Sequence, residues 1–287
     1  MITLASDFGE PYPAAVRGVL RRRTDARLVD VTHDLPRQDR RAAAFWLCET
    51  LPWFPPATHL AVVDPGVGTD RDAVVIEADD HCLVGPDNGS LRPPARLLAA
   101  GGPPDPALYR RFERASGGSG DDDADASGEV TVHRVDDSGA RSSTFHGRDV
   151  FAPAAALVHD HGVSALRDRG LLTPVEDPVS LSLPAATVDD DRAAGEVLAV
   201  DDFGNLITNV PGHALAGVDH VAVVPADDGD AAERVVPAVD TFAAVAPDEA
   251  LATVGSHGNV ELDVNRGRGD ERFELTAGDG LGLVLDP

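Results

Sequence analysis

The stretch that decides the fold runs from His59 to Gly68, where the run His-Leu-Ala-Val-Val is followed at once by the turn sequence Asp-Pro-Gly-Val-Gly. A short apolar run bounded by a turn is typical of a buried strand. Two similar runs precede it, at Ile2–Ala5 and Arg27–Val31, and residues 14–23 and 41–51 have apolar side chains at helical spacing. Strands that alternate with helices predict an α/β fold, here an αβα domain with a mainly parallel sheet.

The chain changes character after this region. Residues Ala73–Glu77 and Cys82–Val84 are predicted to form a pair of strands, and Phe151–His159 a helix with Pro153 in its first turn, where proline is tolerated. Between them, residues 115–142 combine a Gly-Gly-Ser-Gly sequence with three consecutive aspartates. This composition predicts a flexible surface loop whose charges repel one another.

A second domain is predicted near the carboxyl terminus. From about Gly195 onwards, short β-type runs are separated by Gly, Pro and Asp, a pattern typical of a small antiparallel sheet or barrel. These runs are Val197–Val200, His220–Val224, Ala252–Val254 and Val260–Val264. The sequence therefore predicts an N-terminal α/β domain over residues 1–180 and a smaller, barrel-like C-terminal β domain over residues 192–287.

The charge balance excludes several classes of partner. The 287 residues include 49 Asp and Glu against 24 Lys and Arg, all of the latter being arginine, and the net charge is −25. A chain this acidic has no broad basic surface for nucleic acid or for an anionic membrane. With 43% hydrophobic residues it can still form a core. Because carboxylates hold water and hydrated cations in strong salt, we expect a protein of an extreme halophile.

Cysteine usage and the N-terminus predict a cytoplasmic protein. Cys48 and Cys82 are too few for a disulfide framework or a zinc site. The chain runs from Met1 directly into a short apolar run, which is not the pattern of a signal peptide, and no apolar stretch approaches the roughly 18 residues of a membrane span.

Polar residues gather where predicted strands end, and an open α/β sheet places its ligands there. Taken singly, each group also has a structural interpretation. Asp7 could cap a helix, Asp64 could simply start a turn, His146 could be structural, and Phe203–Asn205 could form a hairpin turn. The Gly-x-Gly of residues 66–68 lacks the third glycine of a dinucleotide-binding loop, so that function is rejected.

Taken together, six segments resemble the S-adenosylmethionine hydroxide adenosyltransferase family, the adenosine-forming S-adenosylmethionine hydrolases related to fluorinase and chlorinase. They occur in the family's order and span nearly the whole chain. The segments are Ser6–Gly9, Val29–Pro36, Val62–Thr69, Gly85–Gly89, Thr144–Asp149 and Phe203–Asn209.

The resemblance implies a hydrolytic triad of Asp64, Arg71 and His146, and no metal ion or cofactor. Halogenating relatives lose this Asp and His and carry an extra loop, whereas here the triad is present and the segment 71–85 is short. We therefore expect water to attack C5′ of S-adenosylmethionine, giving adenosine and methionine. The alternatives are a 5′-halogenating enzyme and a non-catalytic protein that binds the same ligand.

The resemblance also implies substrate-binding residues and an assembly. The binding residues would be Asp7 at the ribose diol, Phe203 and Asn205 at the adenine, Asp201 or Asp202 at the methionine ammonium, and Ser256 at the amino-acid end. In the family, the site forms between subunits of a homotrimer. This chain departs from the family in its shorter loop at 10–13, in Arg37 in place of a common proline, and in His257.

Overall fold

Two β-sheets, each with its own hydrophobic core, organise the residues that this computed structural model describes, namely 1–101, 130–138, 144–226 and 233–287. The chain divides into two structural units after Ser182. Of the described residues, 1–101, 130–138 and 144–182 belong to unit 1, and 183–226 and 233–287 belong to unit 2.

Unit 1 combines strands and helices. Its strands are β1 (Ile2–Ser6), β2 (Leu28–Thr32), β3 (Thr58–Val62), β4 (Ala73–Ala78), β5 (His81–Pro86), β6 (Val130–Val135) and β7 (Leu172–Pro174). Its helices are α1 (Tyr12–Arg21), α2 (Arg40–Thr50), α3 (Arg92–Ala99) and α4 (Ala152–Asp168), with a 3₁₀ turn at Leu51–Trp53 and a π-helical turn at Gly147–Phe151. The first three predicted strands and the first two predicted helices are confirmed, each within two residues of its expected bounds.

The sheet of unit 1 is mixed rather than mainly parallel. Its strand order is β2-β1-β3-β5-β4-β6-β7. The β1–β2, β1–β3 and β3–β5 pairs are parallel, and the other three pairs are antiparallel. The reason is local: the predicted strand pair β4–β5 is connected by only Asp79 and Asp80. Parallel neighbours need a crossover of a dozen or more residues, so this connection dictates an antiparallel hairpin.

The prediction of a loop over residues 115–142 is wrong for residues 130–135. Residues 130–135 form β6, which pairs with β4 and places Val132 opposite Ile76. Alternating valines in this segment suit a strand, and the neighbouring glycines and aspartates obscured that signal. The acidic stretch at 117–123 lies outside the described residues.

Helices cover both faces of this sheet. Along β3, Leu60 packs into one cluster with Leu20 of α1 and residues of α4, whereas Ala61 packs into a second cluster with Leu47 of α2 and residues of α3. Successive side chains of a strand point to opposite faces, so one strand supplies both clusters. Each fully buried leucine contributes about 1.5–3 kcal/mol, and the strands that carry the site are therefore held from both sides.

Unit 2 is a barrel-like antiparallel sheet, as expected. Its elements are β8 (Thr187–Val188), β9 (Arg192–Val200), β10 (Leu206–Pro211), β11 (His220–Pro225), β12 (Arg234–Pro237), β13 (Ala250–Val254), β14 (Asn259–Val264), β15 (Gly280–Leu285), helix α5 (Gly269–Phe273) and 3₁₀ turns at Gly212–Leu215 and Phe242–Ala244. The order is β12-β11-β15-β9-β10-β14-β13, with β8 beside β9. A bridge between Ala238 and Ala252 brings the two ends of the sheet together around an apolar core.

No helix among the described residues is both long and apolar enough to cross a membrane. Cys48 and Cys82 are free thiols, and burial raises the pKa of Cys82 to about 11. A thiol with so high a pKa is not ionised near neutral pH, so neither chemistry nor crosslinking is assigned to it.

Candidate active site

The parallel strands β1 and β3 bring two of the predicted site residues to one edge of the unit 1 sheet. Ser6 lies opposite Val62 in their register. Asp7 and Asp64 therefore start the loops that leave the carboxyl ends of two adjacent strands, which is where α/β sheets place ligands. Asp7 does not cap helix α1, whose N-cap position is Pro11.

Asp64, Arg71 and His146 are joined into one hydrogen-bonded group. The Arg71 guanidinium donates to both carboxylate oxygens of Asp64, from Nε at 2.8 Å and from Nη2. The same Nη2 also donates to Nδ1 of His146 at 2.9 Å. The side chains of Arg71 and Asp64 are only 10% and 6% exposed. A buried, bidentate pair of this kind is stronger and more strictly oriented than a surface ion pair.

Residues of the turn that precedes α4 pack against the Asp64–Arg71–His146 group. Phe151 lies beneath Arg71, with the guanidinium carbon 5.0 Å from the ring centroid, and its ring also meets that of His146 edge-on. Gly147 leaves room for the Phe8 ring, because a Cβ at this position would approach that ring to 3.0 Å and the ring would have to shift. The π-helical turn at Gly147–Phe151 is of a kind that recurs at functional sites. Phe151 lies two residues after the recognised segment Thr144–Asp149, and its role was not predicted.

Asp7 lies near the triad and is held by a residue that the sequence did not single out. Its Oδ2 accepts a hydrogen bond of 2.8 Å from the backbone N–H of Gln38, which has a left-handed conformation with φ of 60°. Burial raises the pKa of Asp7 above its ordinary value, and the nearby Asp64 carboxylate raises it further against the hydrogen bond from Gln38. A non-glycine residue at positive φ carries strain that often accompanies a functional site.

In unit 2, the segment 201–205 forms the hairpin turn between β9 and β10. The Asp201 carboxylate accepts hydrogen bonds from the backbone N–H groups of Phe203 and Asn205, both at 2.9 Å, and from the Asn205 side-chain amide at 3.0 Å. Gly204 has φ of 87°, which favours glycine. The turn leaves Phe203 77% exposed, and an aromatic residue presented in this way is available for stacking.

The structure separates Ser256 from this turn within unit 2. Leu206 at the start of β10 lies opposite Leu262, whereas Pro211 at its end lies opposite Asn259. Ser256 precedes β14, so it lies at the opposite end of the β10–β14 pair from Asn205. Asp202 is exposed, and its backbone carbonyl accepts a hydrogen bond from Arg268. The role of each of these binding residues stays a prediction.

The fold and the unit 1 site define an α/β protein with a barrel-like second unit and a linked Asp–Arg–His group. The family model of the SAM hydroxide adenosyltransferase N-terminal domain matches residues 2–105, and that of the C-terminal domain matches residues 195–281. The chain belongs to the SAM hydroxide adenosyltransferase family.

Relatives with full-length similarity support this membership. The (R)-S-adenosyl-L-methionine hydrolase of Salinispora tropica is 38% identical over 98% of this chain and 96% of its own. The enzyme of the same name from Thermus thermophilus is 39% identical over 95% of each chain.

Two solved structures share the fold over nearly their whole length. An uncharacterised conserved protein from Thermotoga maritima matches with a TM-score of 0.75 and 26% identity, covering 99% of this chain and all of that one. A conserved hypothetical protein from Thermus thermophilus matches with a TM-score of 0.65 and 33% identity, covering 99% of each chain.

Proposed function

We propose that this chain hydrolyses S-adenosyl-L-methionine to adenosine and L-methionine, without a metal ion or cofactor. The observation that carries the proposal is the group in which Arg71 links Asp64 to His146, in a chain whose curated relatives are named as hydrolases of this substrate. Because those names specify the (R) form, we propose that the (R) sulfonium epimer is the preferred substrate.

The chemistry of the substrate determines what the site must supply. The sulfonium is permanently positive, so methionine is already a good leaving group and needs little acid catalysis. The enzyme must instead place a water molecule in line behind C5′ and accept its proton as the new bond to oxygen forms. The C5′–S bond breaks with its electron pair going to sulfur, which leaves neutral methionine thioether and adenosine.

The hydrogen bonds of Arg71 support different roles for His146 and Asp64. Arg71 can only donate, so Nδ1 of His146 accepts, and the neutral ring carries its proton on Nε2. His146 then donates a hydrogen bond to the attacking water and orients it. Each oxygen of the Asp64 carboxylate keeps a lone pair beside its bond to Arg71. We assign Asp64 as the base that takes the proton.

Substrate binding is assigned to both units. Asp7, beside the triad, would accept hydrogen bonds from the ribose diol. Phe203 would stack on the adenine and Asn205 would bind its edge. Asp202 or Asp201 would pair with the ammonium group, and Asp201 already accepts three hydrogen bonds within its own turn. Ser256 would bind the amino-acid end.

The assembly and the setting belong to the same proposal. The resemblance to the family supports a homotrimer with sites between subunits, and light scattering in concentrated KCl should give a mass three times that of the chain. The absence of lysine and the net charge of −25 support a halophilic, cytoplasmic protein. A mass equal to one chain would contradict the trimer.

The function is tested by incubating the purified protein with each sulfonium epimer in concentrated KCl and separating the products. We expect adenosine and methionine, formed faster from the (R) epimer. Asp64→Asn should lower kcat by about 10³-fold or more, since it removes the base, and His146→Ala by about 10–100-fold. The exposed His161 provides the matched control, and His161→Ala should keep full activity.

Two outcomes would contradict the proposal. Formation of 5′-chloro-5′-deoxyadenosine would show a halogenating enzyme, and tight binding without turnover would show a non-catalytic protein. Undiminished turnover in both Asp64→Asn and His146→Ala would overturn the assignment of the triad.

A further inference from the structure

A second hydrogen-bonded chain lies beside the site, at the junction of β1 and β2. The Ser6 hydroxyl is 2.8 Å from Nδ1 of His33, and Nε2 of His33 is 3.1 Å from Oδ1 of Asp30. Nε of Arg17, on α1, donates to the same Asp30 carboxylate at 3.0 Å. Ser6 is 3% exposed and the His33 side chain 12% exposed. This series of hydrogen bonds thus extends from the buried Ser6 hydroxyl, next to Asp7, to the protein surface.

Backbone contacts tie the same two segments together on both sides of Asp7. The N–H of Gly9 donates to the carbonyl of His33 at 3.0 Å, and the N–H of Leu35 donates to the carbonyl of Ser6 at 3.1 Å. The Asp7 carboxylate itself is held by Gln38, a few residues further along the second segment. The position of residues 33–38 therefore determines where the Asp7 carboxylate lies.

A β-bulge brings His33 to the level of Ser6. Leu4 lies opposite Asp30, but the next residue, Ala5, lies opposite Thr32, so that Val31 is an extra residue in β2. Bulges near active sites commonly redirect a side chain. Because Ala5 is opposite Thr32, the next residues of the two segments, Ser6 and His33, also lie side by side.

The arrangement differs from that of a serine nucleophile. In serine hydrolases, the hydroxyl contacts Nε2 of the histidine and the carboxylate contacts Nδ1; here the two contacts are reversed. A carboxylate only accepts, so Nε2 donates to Asp30, and Nδ1 of the neutral ring accepts from the Ser6 hydroxyl. Burial alone would raise the pKa of Asp30, but its hydrogen bonds from Arg17 and His33 outweigh this effect and lower it. The buried hydroxyl is an anchor rather than a nucleophile.

We propose that His33 is a positioning residue, which through Ser6 fixes the segment 33–38 and so holds Asp7 in the orientation that binds the ribose diol. The inference rests on the proposed function, because the role of Asp7 in binding the substrate is part of it. Some residues contribute equally to binding of the substrate and of the transition state. Substituting such a residue raises KM and leaves kcat nearly unchanged.

The test compares the steady-state kinetics of Ser6 and His33 variants with those of the wild-type protein, with adenosylmethionine as the substrate. Ser6→Ala and His33→Ala should each raise KM by about tenfold, the size expected for losing one good hydrogen bond, with kcat within about threefold of wild type. His33→Asn, whose amide reaches Ser6 but not Asp30, should restore part of the lost affinity.

Thr3 provides a matched control on the same strand. Its hydroxyl is 2.7 Å from Nδ1 of the buried His59, a pair of the same type at the opposite end of β1. Thr3→Val should lower thermal stability about as much as Ser6→Ala while leaving KM unchanged. An equal rise of KM in Thr3→Val would show that general destabilisation, not positioning, is responsible.

The two proposals fail in different ways. If the wild-type protein hydrolyses the substrate while Ser6→Ala and His33→Ala keep its KM, the role of His33 is overturned and the function stands. If the wild-type protein neither hydrolyses nor binds adenosylmethionine, the proposed function falls and this inference falls with it.

Discussion

Two aspartates with largely buried side chains, Asp64 in unit 1 and Asp263 in unit 2, have opposite electrostatic surroundings. The Asp64 side chain is 6% exposed and both of its oxygens accept hydrogen bonds from Arg71. Asp263, on β14, is fully buried, and neither of its oxygens has a hydrogen-bond partner among the described residues. Burial raises the pKa of Asp263 to about 8, and the carboxylates of Glu261 and Asp201 add to this effect.

The difference shows what a buried carboxyl group needs in order to act as a base. An isolated charge is too costly to bury, so an unpartnered carboxyl becomes protonated instead. A guanidinium fork stabilises the ionised form and fixes its orientation. Of these two aspartates only Asp64 has such a fork, which is why the proton acceptor is assigned to it, whereas Asp263 is neutral over most of the physiological pH range.

The largest expected effect comes from removing the Arg71 guanidinium that contacts Asp64. Arg71→Lys keeps the positive charge, but a single ammonium group does not reproduce the planar fork that contacts both Asp64 oxygens and His146. We expect kcat to fall by about 100-fold or more, since Asp64 and His146 lose the group that orients them. Steady-state kinetics at saturating adenosylmethionine measures the loss.

The control for this substitution is Arg192→Lys. Arg192 is 64% exposed at its side chain and pairs with Asp191 on the surface, where such pairs contribute little. This variant should keep its activity. If Arg71→Lys also keeps wild-type kcat, a positive charge alone suffices and the role given to the fork is wrong.

The sequence was sufficient to predict which residues form the unit 1 site, but not the strand pairing and contacts around them. The apolar runs ending at Asp7 and Asp64 were readable because strands buried on both faces are continuously hydrophobic, and the resemblance supplied Arg71 and His146. The strand at 130–135 was missed because its valines stand beside a Gly- and Asp-rich segment. Register is a property of two segments, so the bulge that brings His33 to Ser6 has no signal in either strand alone.

Asp263 illustrates the same limit in unit 2. The run Val-Glu-Leu-Asp-Val at 260–264 alternates apolar and acidic residues, a pattern typical of a strand with one face in solvent. The structure buries both faces of this strand. Which face of a sheet is covered depends on distant parts of the chain, and alternation along one strand does not record it.

The pH dependence of stability tests the unpartnered carboxyl. Folded Asp263 keeps its proton up to about pH 8, whereas the unfolded side chain loses it near its ordinary pKa of 3.8. The folded state thus binds an additional proton between these values, and its stability falls as pH rises from about 4 to 8, by at most about 1.4 kcal/mol per pH unit.

Asp263→Asn is a neutral isostere that removes this dependence. We expect its free energy of unfolding, measured by denaturant titration at constant salt, to exceed that of the wild type by about 2 kcal/mol or more at pH 8 and to match it near pH 4. Equal pH profiles for the two proteins would show that Asp263 has a partner that keeps it charged.

The smallest expected effect is that of substituting Glu261, whose carboxylate raises the pKa of Asp263. Glu261 lies two residues before Asp263 on the same strand and accepts a hydrogen bond of 2.7 Å from Nε2 of His257. Glu261→Gln keeps an acceptor for His257 but removes a negative charge near Asp263. The pKa of Asp263 should therefore fall by a fraction of a unit, which corresponds to a gain of about 1 kcal/mol or less at pH 8.

A double-mutant cycle isolates this interaction from other consequences of the change. In the Asp263→Asn background there is no carboxyl left to titrate, so Glu261→Gln should lose its stabilising effect at pH 8. If the gain persists there, it arises from the contact with His257 rather than from Asp263. If the gain in stability disappears in that background, repulsion between the Glu261 and Asp263 carboxylates is part of the reason that Asp263 is neutral. Asp64, in contrast, faces the guanidinium of Arg71.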